Sequence, residues 1–336
     1  MREPVSSAPD PRPVVHLACS RGGHLDLLLQ LEHVLSDHRV VWVTQQSARA
    51  KGLLRSGRRV LDLGEYHGSL RQGSVSLIRR SLGIVARERP RFVITSGSGI
   101  VVPFCLLARL AGAKIVFVET SARVTGPSRS GRLLSRLAHR VIVQWEEMLQ
   151  VYPGATAARS SALRGIAPAL AGGGEGAFLA VGTHSQPFDR LVEMVDRATA
   201  AGVLPQPVRA QVGVSTHRMR HADASDIMRP EEMEQAIRAA RFVVTHGGTG
   251  TISTALRAGR RPLVLPREGA RGEHFDDHQH QIVDKLASLG LVVRLDGEIT
   301  PEALAAAEAP LPAADGLSRL PELAVCLRRA VDELSA

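Results

Sequence analysis

Three short glycine-rich segments, "SRGGH" (20–24), "TSGSG" (95–99) and "THGGTGT" (245–251), each follow an apolar run of strand character. Glycines in such a place let the backbone turn sharply or let a ligand approach it closely. A helix that begins there points unpaired N–H groups and a partial positive charge at whatever occupies the loop. The matching chemistry is a phosphate. "GTH" (182–184) is a shorter loop of the same kind. None has the GxxxxGKS/T form, and none is a GxGxxG with an acidic residue about 20 positions on at a strand end, which counts against ATP hydrolysis and NAD binding. A ligand-free tight turn would explain any one loop; three at equivalent places favour binding.

A further segment, "PREGARGEHFDDHQHQI" (266–282), is dense in carboxylates, imidazoles and amides and opens a helix after a strand. Carboxylates accept hydrogen bonds and amides both accept and donate, so these residues suit the hydroxyls of a sugar. His274, His278 and His280 are an alternative set of metal ligands, but their spacing is not HExxH and no cysteine assists. Cys19, Cys105 and Cys326 lie far apart and form no CxxC pair. No metal, cofactor or disulfide framework is expected.

The elements that must position these loops alternate along the chain. "VVHLACS" reads as a buried strand, "GGHLDLLLQLEHVL" as loop and helix, and "HRVVWVT" as the next strand. Helix "SLIRRSLGIVARERP", strand "RFVITSG", helix "IVVPFCLLARLAG", strand "KIVFVET", helix "SGRLLSRLAH" and strand "RVIVQW" follow. The pattern restarts at "AFLAVGT" and continues through "PVRAQVGVS", "RFVVTH", "RPLVLP" and "LVVRL", with helices between them. Such alternation predicts α/β architecture with parallel sheets covered on both faces. The expected division is a domain at 1–165, a small-residue linker at 166–176 and a second domain at 177–336, the two facing each other across a cleft. The last helical pattern, "GLSRLPELAVCLRRAVDEL", packs on one domain or bridges both.

The formal charge is +9, unevenly spread: residues 1–165 carry 24 Lys and Arg against 11 Asp and Glu, the remainder 18 against 22. Aromatic residues make up only 3% and none interleaves with the arginines, so a base-stacking platform for nucleic acid is not expected. An anionic membrane surface or a phosphorylated substrate suits the basic half better. "SLIRRSLGIVARERPR" (76–91) sets Leu77, Ile78, Leu82, Ile84 and Val85 beside five arginines, as an interfacial helix would; a helix packed on the sheet with solvated arginines has the same pattern. The polar "MREPVSSAPDPRP" start and the lack of any run of about 20 apolar residues predict a cytoplasmic protein, peripheral at the membrane face.

The quoted residues also carry a family resemblance. "GGHLDLLLQL", "SGSGIVVPFCLLARLAGAKIVFVETSARV" and "SGRLLSRLAHRVIVQWEEMLQVYP" resemble the membrane-recruiting, acceptor-side subunit of the two-part GlcNAc transferase of early N-glycan assembly, and its bacterial exopolysaccharide counterparts of the PssD/EpsE type. "VGTHSQPFDRLVEMVD", "THGGTGTISTALRAG" and "GEHFDDHQHQI" resemble the donor-binding partner of the PssE/EpsF type, related to the MurG C-terminal domain. The resemblance implies two subunits fused into one GT-B glycosyltransferase with a UDP-sugar donor and, often, a polyisoprenyl-phosphate-linked acceptor. Carried over by motif, His246, Gly247, Gly248, Thr249, Gly250 and Thr251 would wrap the diphosphate, supported by Gly182 and Thr183. Gln279, Asp277 and His278 would meet the sugar. One departure is Thr254, where MurG-type enzymes have an acidic ribose ligand; Glu273 is the substitute.

An inverting transfer needs a base for the acceptor hydroxyl and help for the departing UDP. His24 is one candidate base, although a helix-capping or phosphate-binding role fits its position equally. Glu119, at the end of "KIVFVE", is the second, as base or as a group that orients a hydroxyl. Gly22, Gly23, Ser96, Gly97 and Gly99, with Arg123, Arg129 and Arg132, would hold the acceptor and its phosphate. Arg267 and Arg271 would suit the carboxylate of a uronic acid. The rival readings are a UDP-sugar epimerase of the same architecture and a non-catalytic scaffold that binds UDP-sugar or lipid. A homo-oligomer is compatible with all three.

Overall fold

A computed structural model of the chain describes residues 11–64, 74–168 and 173–335. The first part runs β1 (Val14–Cys19), α1 (Gly23–Leu31), β2 (Arg39–Thr44), α2 (Ala48–Arg55), β3 (Arg59–Asp62), α3 (Ser74–Glu88), β4 (Phe92–Gly97), α4 (Val102–Leu110), β5 (Lys114–Val118), α5 (Arg129–Leu137), β6 (Arg140–Val143) and β7 (Thr156–Ala157). These seven strands form one sheet in the order β3-β2-β1-β4-β5-β6-β7, and all its pairs are parallel. Parallel strands need helical crossovers, which cover both faces and make the strands themselves apolar. All six residues of β4 are accordingly buried.

The second part runs β8 (Glu175–Ala180), α6 (Asp189–Ala200), β9 (Val208–Gln211), β10 (Asp223–Ser225), α7 (Pro230–Ala239), β11 (Ala240–His246), α8 (Thr249–Arg257), β12 (Leu263–Leu265), α9 (His278–Ser288), β13 (Val293–Arg294), α10 (Pro301–Glu308) and α11 (Leu323–Ser335). Its six strands are again all parallel, in the order β10-β9-β8-β11-β12-β13. In both sheets the chain first moves outward on one side and then crosses to the other, giving a switch point between β1 and β4 and another between β8 and β11. Ligands of open α/β sheets bind outside the carboxyl ends of the strands at such points.

The chain divides into one compact unit of residues 1–120, 125–158 and 321–336 and a second of residues 121–124 and 159–320. This differs from the division expected at 165 and 177. Residues 159–168 belong to the second unit, with Ala167 N bonded to Leu256 O; the middle of the expected linker, 169–172, lies outside the described residues, as do residues 1–10. The C-terminal helix α11 belongs to the first unit. Its Leu323, Cys326, Leu327, Ala330 and Val331 pack into the core formed by Val15, Leu17, Leu28 and Trp42. An amphipathic pattern specifies that a helix must cover a core, but not which one.

Hydroxyl side chains cap α2 (Ser47 to Ala50 N), α5 (Ser128 to Gly131 N) and α10 (Thr300 to Ala303 N). Helices α1 and α8, which begin at the two switch points, start from glycines, Gly22 and Gly248, and like α4, α6 and α9 have no side-chain cap. Their first N–H groups therefore lack the partner that a hydroxyl supplies elsewhere.

Candidate functional site

In the second unit β8 leads into Val181, Gly182, Thr183 and His184, while β11 ends at His246 and continues through Gly247 and Gly248 into α8. The two loops meet at His246. A Cβ on Gly182 would stand 2.6 Å from its ring and one on Gly248 2.2 Å from Nε2. Only glycine allows the imidazole to lie there, and Gly182 also has a φ of 79°. Desolvation, reinforced by the charge of Arg267, lowers the His246 pKa to about 3, so the ring is neutral at neutral pH. Gly247 is held from the other side: its N–H and that of Arg267 both donate to Gln279 Oε1, each at 3.0 Å. Gln279 is buried at the start of α9. Thr249 and Gly250 form the first turn of α8, with Thr251 buried behind them. Thr254 turns back on its own helix, donating to Gly250 O at 3.0 Å and accepting from Arg257.

Several expected sugar ligands are already engaged. Arg190 grips Glu273 with Nε to Oε1 at 2.9 Å and Nη2 to Oε2 at 2.8 Å, and Glu268 N donates to the same Oε2. Both oxygens of Glu273 thus have partners within the unit. Arg267, expected beside a uronic acid, is 1% exposed, with Nη1 donating to the carbonyls of Gln186, Pro187 and Glu273 and Nη2 to that of Val181. Its guanidinium lies 4.6 Å from the Phe188 ring centre. Burial lowers its pKa to about 10, which still leaves it cationic. It is the clamp that ties β12 to the 181–188 loop, and a uronic carboxylate does not reach it. Arg271 is exposed and paired with Glu268 at 2.7 Å. Asp277 Oδ1 accepts from Gly269 N at 2.7 Å.

His278 Nδ1 meets Asp276 Oδ1, and His274 Nδ1 lies 3.3 Å from that oxygen. Burial works to raise the Asp276 pKa, but the hydrogen bonds of His274, His278 and Arg123 outweigh it and hold the carboxyl well below the usual range. Burial lowers the His278 pKa against the pull of Asp276. The His184 ring stacks on His274 at 4.6 Å, with Phe275 72% exposed beside both. Arg123 groups with this unit and donates to Asp276 Oδ2 at 2.5 Å.

At the first unit's switch point His24 opens α1 after Gly22 and Gly23. Its Nδ1 lies 2.9 Å from the backbone oxygen of Ser96, and Ser96 Oγ donates to His24 O at 3.2 Å. A carbonyl accepts only, so Nδ1 carries the proton and the basic lone pair of the neutral ring is on Nε2. Gly97 and Ser98, at φ of 92° and 93°, turn the chain away beneath the ring, and Gly99 begins the turn into α4. Glu119 is 2% exposed: Tyr152 Oη donates to Oε2 at 2.8 Å and Thr120 N to Oε1 at 3.0 Å. A Cβ on Gly131 of α5 would sit 2.6 Å from Oε2. A base must reach its proton, and this carboxylate is instead built into the junction of β5 with α5. Arg129 and Arg132 are exposed on α5.

Sequence reasoning missed Arg190, Tyr152 and Asp276. Arg190 did leave a signal, because a cation in the first turn of a helix opposes the helix dipole unless carboxylates answer it. Glu268 and Glu273 do so.

The two-sheet fold is that of the GT-B glycosyltransferases. Acinetobacter baumannii MurG superposes with a TM-score of 0.62 at 17% identity, over 96% of this chain and all of that one. The UDP-GlcNAc 2-epimerase of Methanocaldococcus jannaschii gives 0.63 at 10% identity, over 96% and 99%. Residues 36–160 match the family "Oligosaccharide biosynthesis protein Alg14 like", and residues 177–310 match "Glycosyltransferase family 28 C-terminal domain". The chain is 28% identical over 330 residues, 89% of its length and 74% of the relative's, to the UDP-N-acetylglucosamine–N-acetylmuramyl-(pentapeptide) pyrophosphoryl-undecaprenol N-acetylglucosamine transferase of Xanthomonas campestris pv. campestris. It is also 38% identical over 79 residues, 22% of this chain and 36% of the relative, to the mouse (Mus musculus) UDP-N-acetylglucosamine transferase subunit ALG14. The chain is a glycosyltransferase in which an Alg14-like part precedes a family 28 type C-terminal domain.

Proposed function

We propose that this enzyme moves a hexose or N-acetylglucosamine, with inversion, from a UDP-sugar held by the second unit to a lipid-phosphate-linked acceptor held by the first. The observation that carries the reading is the uncapped start of α8 behind Gly247 and Gly248, closed against Gly182 through His246. Amide N–H groups and a helix dipole there would take up the charge of the departing diphosphate, a task that a metal performs in other transferases. The names of the relatives favour UDP-N-acetylglucosamine as donor and a polyprenyl-linked acceptor. His24 Nε2 would accept the proton of the acceptor hydroxyl. On the donor side Gln279 would offer its amide N–H groups, its Oε1 being taken by Gly247 and Arg267, and Asp277 its second carboxylate oxygen, with the neutral His246 beside them.

A membrane-side acceptor is supported by three neighbouring helices of the first unit. Val75, Ile78 and Leu82 on α3, Leu106 and Leu110 on α4, and Leu133 on α5 are all exposed, up to 76% for Leu110. Helix α4 packs beside both others. Exposed arginines alternate with these side chains: Arg79, Arg109, Arg132 and Arg136. Apolar side chains set among arginines suit an anionic bilayer surface. No helix among the described residues is long and apolar enough to cross a membrane. A glycolipid or exopolysaccharide pathway of the PssD/PssE kind is the setting we favour.

Calorimetric titration of the metal-free protein with UDP tests the donor half, with GDP, dTDP and NAD as controls. Selective binding near 1 μM, about −8 kcal/mol, is the expected result; equal binding of all four, or of none, overturns it. Incubation with UDP-N-acetylglucosamine alone separates the epimerase, which would isomerise the donor with no acceptor present.

A further inference from the structure

The turn before α9 gathers three metal-type donor atoms at one point, one of them on His278, which is also among the expected sugar contacts. His274, Asp276 and His278 each offer one, and these atoms lie within 4.8 Å of one another. His274 Nδ1 and His278 Nδ1 both face Asp276 Oδ1, the former at 3.3 Å. Four ligands around an ion at bond lengths of about 2.0–2.1 Å stand about 3.4 Å apart, so small side-chain adjustments would seat an ion among the three. The carboxylate is also oriented from behind: Arg123 holds Oδ2 at 2.5 Å, the kind of outer partner that fixes a ligating oxygen. The stack of His184 on the His274 ring, centroids 4.6 Å apart, fixes the plane of that imidazole.

A second His–Asp–His arrangement in the same unit shows what a purely structural one looks like. Asp196 uses Oδ2 for His217 Nε2 and Oδ1 for His221 Nδ1, and the latter oxygen also accepts the N–H groups of Arg220 and His221. Its two histidines approach different oxygens and do not converge. Among the described residues the 274–278 group is the one in which three such donors do.

We propose that His274, Asp276 and His278 bind one zinc-class divalent cation. Two imidazole nitrogens and one carboxylate oxygen suit Zn2+, Co2+ or Ni2+, whereas Mg2+ and Ca2+ call for oxygen ligands. Three protein ligands leave a fourth place for water or for an oxygen of a bound anion. The ion would clamp the 272–277 turn to the first turn of α9, which carries Gln279, and it adds no step to the transfer. The site stands whatever the donor sugar is.

Untagged, chelator-treated protein is titrated with Zn2+ and Co2+ in the absence of nucleotide. The expected result is a single site, with a visible Co2+ d–d spectrum of low coordination number that Zn2+ displaces and Mg2+ does not. His274→Ala and His278→Ala each weaken Zn2+ by about 10- to 100-fold or more, and His217→Ala leaves it unchanged. Asp276→Asn, which keeps the shape of the side chain, weakens it as well, and Zn2+ raises the melting temperature of the wild type but not of these variants. Absence of 1:1 binding, or the same affinity in the His274 and His278 variants as in the wild type, overturns the proposal. UDP binding is measured separately, so failure of the donor reading and failure of the metal site are distinguishable.

Discussion

At the scale of single residues, the nearer partner of His24 Nδ1 is a backbone carbonyl at 2.9 Å, with the Ser96 hydroxyl farther off at 3.3 Å, and the carbonyl places the proton on Nδ1. The expected consequence is a contrast between neighbours. His24→Ala lowers kcat by about 10²- to 10⁴-fold, the usual worth of a general base, with UDP affinity unchanged in the same titration. Ser96→Ala keeps the orienting carbonyl and removes the hydroxyl's contacts with His24 O and, at 3.3 Å, His24 Nδ1, so it retains most of the activity. Similar losses in the two variants would make the ring a structural cap. Residue types in this site were legible in the sequence, and their partners were not. Gln279, Glu273 and Arg267 read as ligand groups because they are polar and clustered, yet Glu273 is satisfied by Arg190, 83 positions away. A buried polar group must find a partner within the fold or in a ligand, and only three-dimensional closure decides which.

At the scale of elements, the buried strands were readable because a parallel strand covered on both faces is a continuous apolar run. The edges were not. Strands β3 (RVLD), β7 (TA) and β10 (DAS) are short or polar, β10 is exposed throughout, and each lies at or next to the end of a sheet, where one neighbour and a wet face remove the apolar signature. Helix α3 was legible in pattern and ambiguous in purpose, since Leu77, Ile84 and Val85 are buried against the unit while Ile78 and Leu82 are 47% and 54% exposed. The same helix serves both readings of its sequence. Ile78→Glu with Leu82→Glu should leave the melting midpoint nearly unchanged, within about 0.5 kcal/mol for each exposed position. Each apolar side chain withdrawn from lipid is worth about 1.5–3 kcal/mol, so sedimentation with anionic vesicles should fall at least about tenfold. Unaltered vesicle binding would remove this face from the membrane contact.

At the scale of the whole molecule, the charge asymmetry in the sequence follows the two units, but the last helix does not: α11 returns to the first unit, where Arg328 pairs with Asp37 and Glu333 with Arg140. That unit also contains an ionisable group with no part in the proposed chemistry. His16, in the centre of β1, is fully buried, and burial lowers its pKa to about 4. An unfolded chain binds that proton near pH 6.5, so between those values the unfolded state holds more protons than the folded one and stability falls as the pH drops. The first unit is at full strength above about pH 6.5 and loses on the order of 3 kcal/mol from this group by pH 4, at about 1.4 kcal/mol per unit. Both tryptophans, Trp42 and Trp145, lie in the first unit, so their fluorescence during urea unfolding reports that unit without interference from the titration of His246 in the other. His16→Leu should flatten the dependence of the urea midpoint by one proton between pH 4.5 and 7, with the variant gaining most at the acid end. A parallel pair of pH profiles for wild type and variant would show instead that His16 reaches a proton acceptor when charged, and that β1 tolerates an imidazolium in its core.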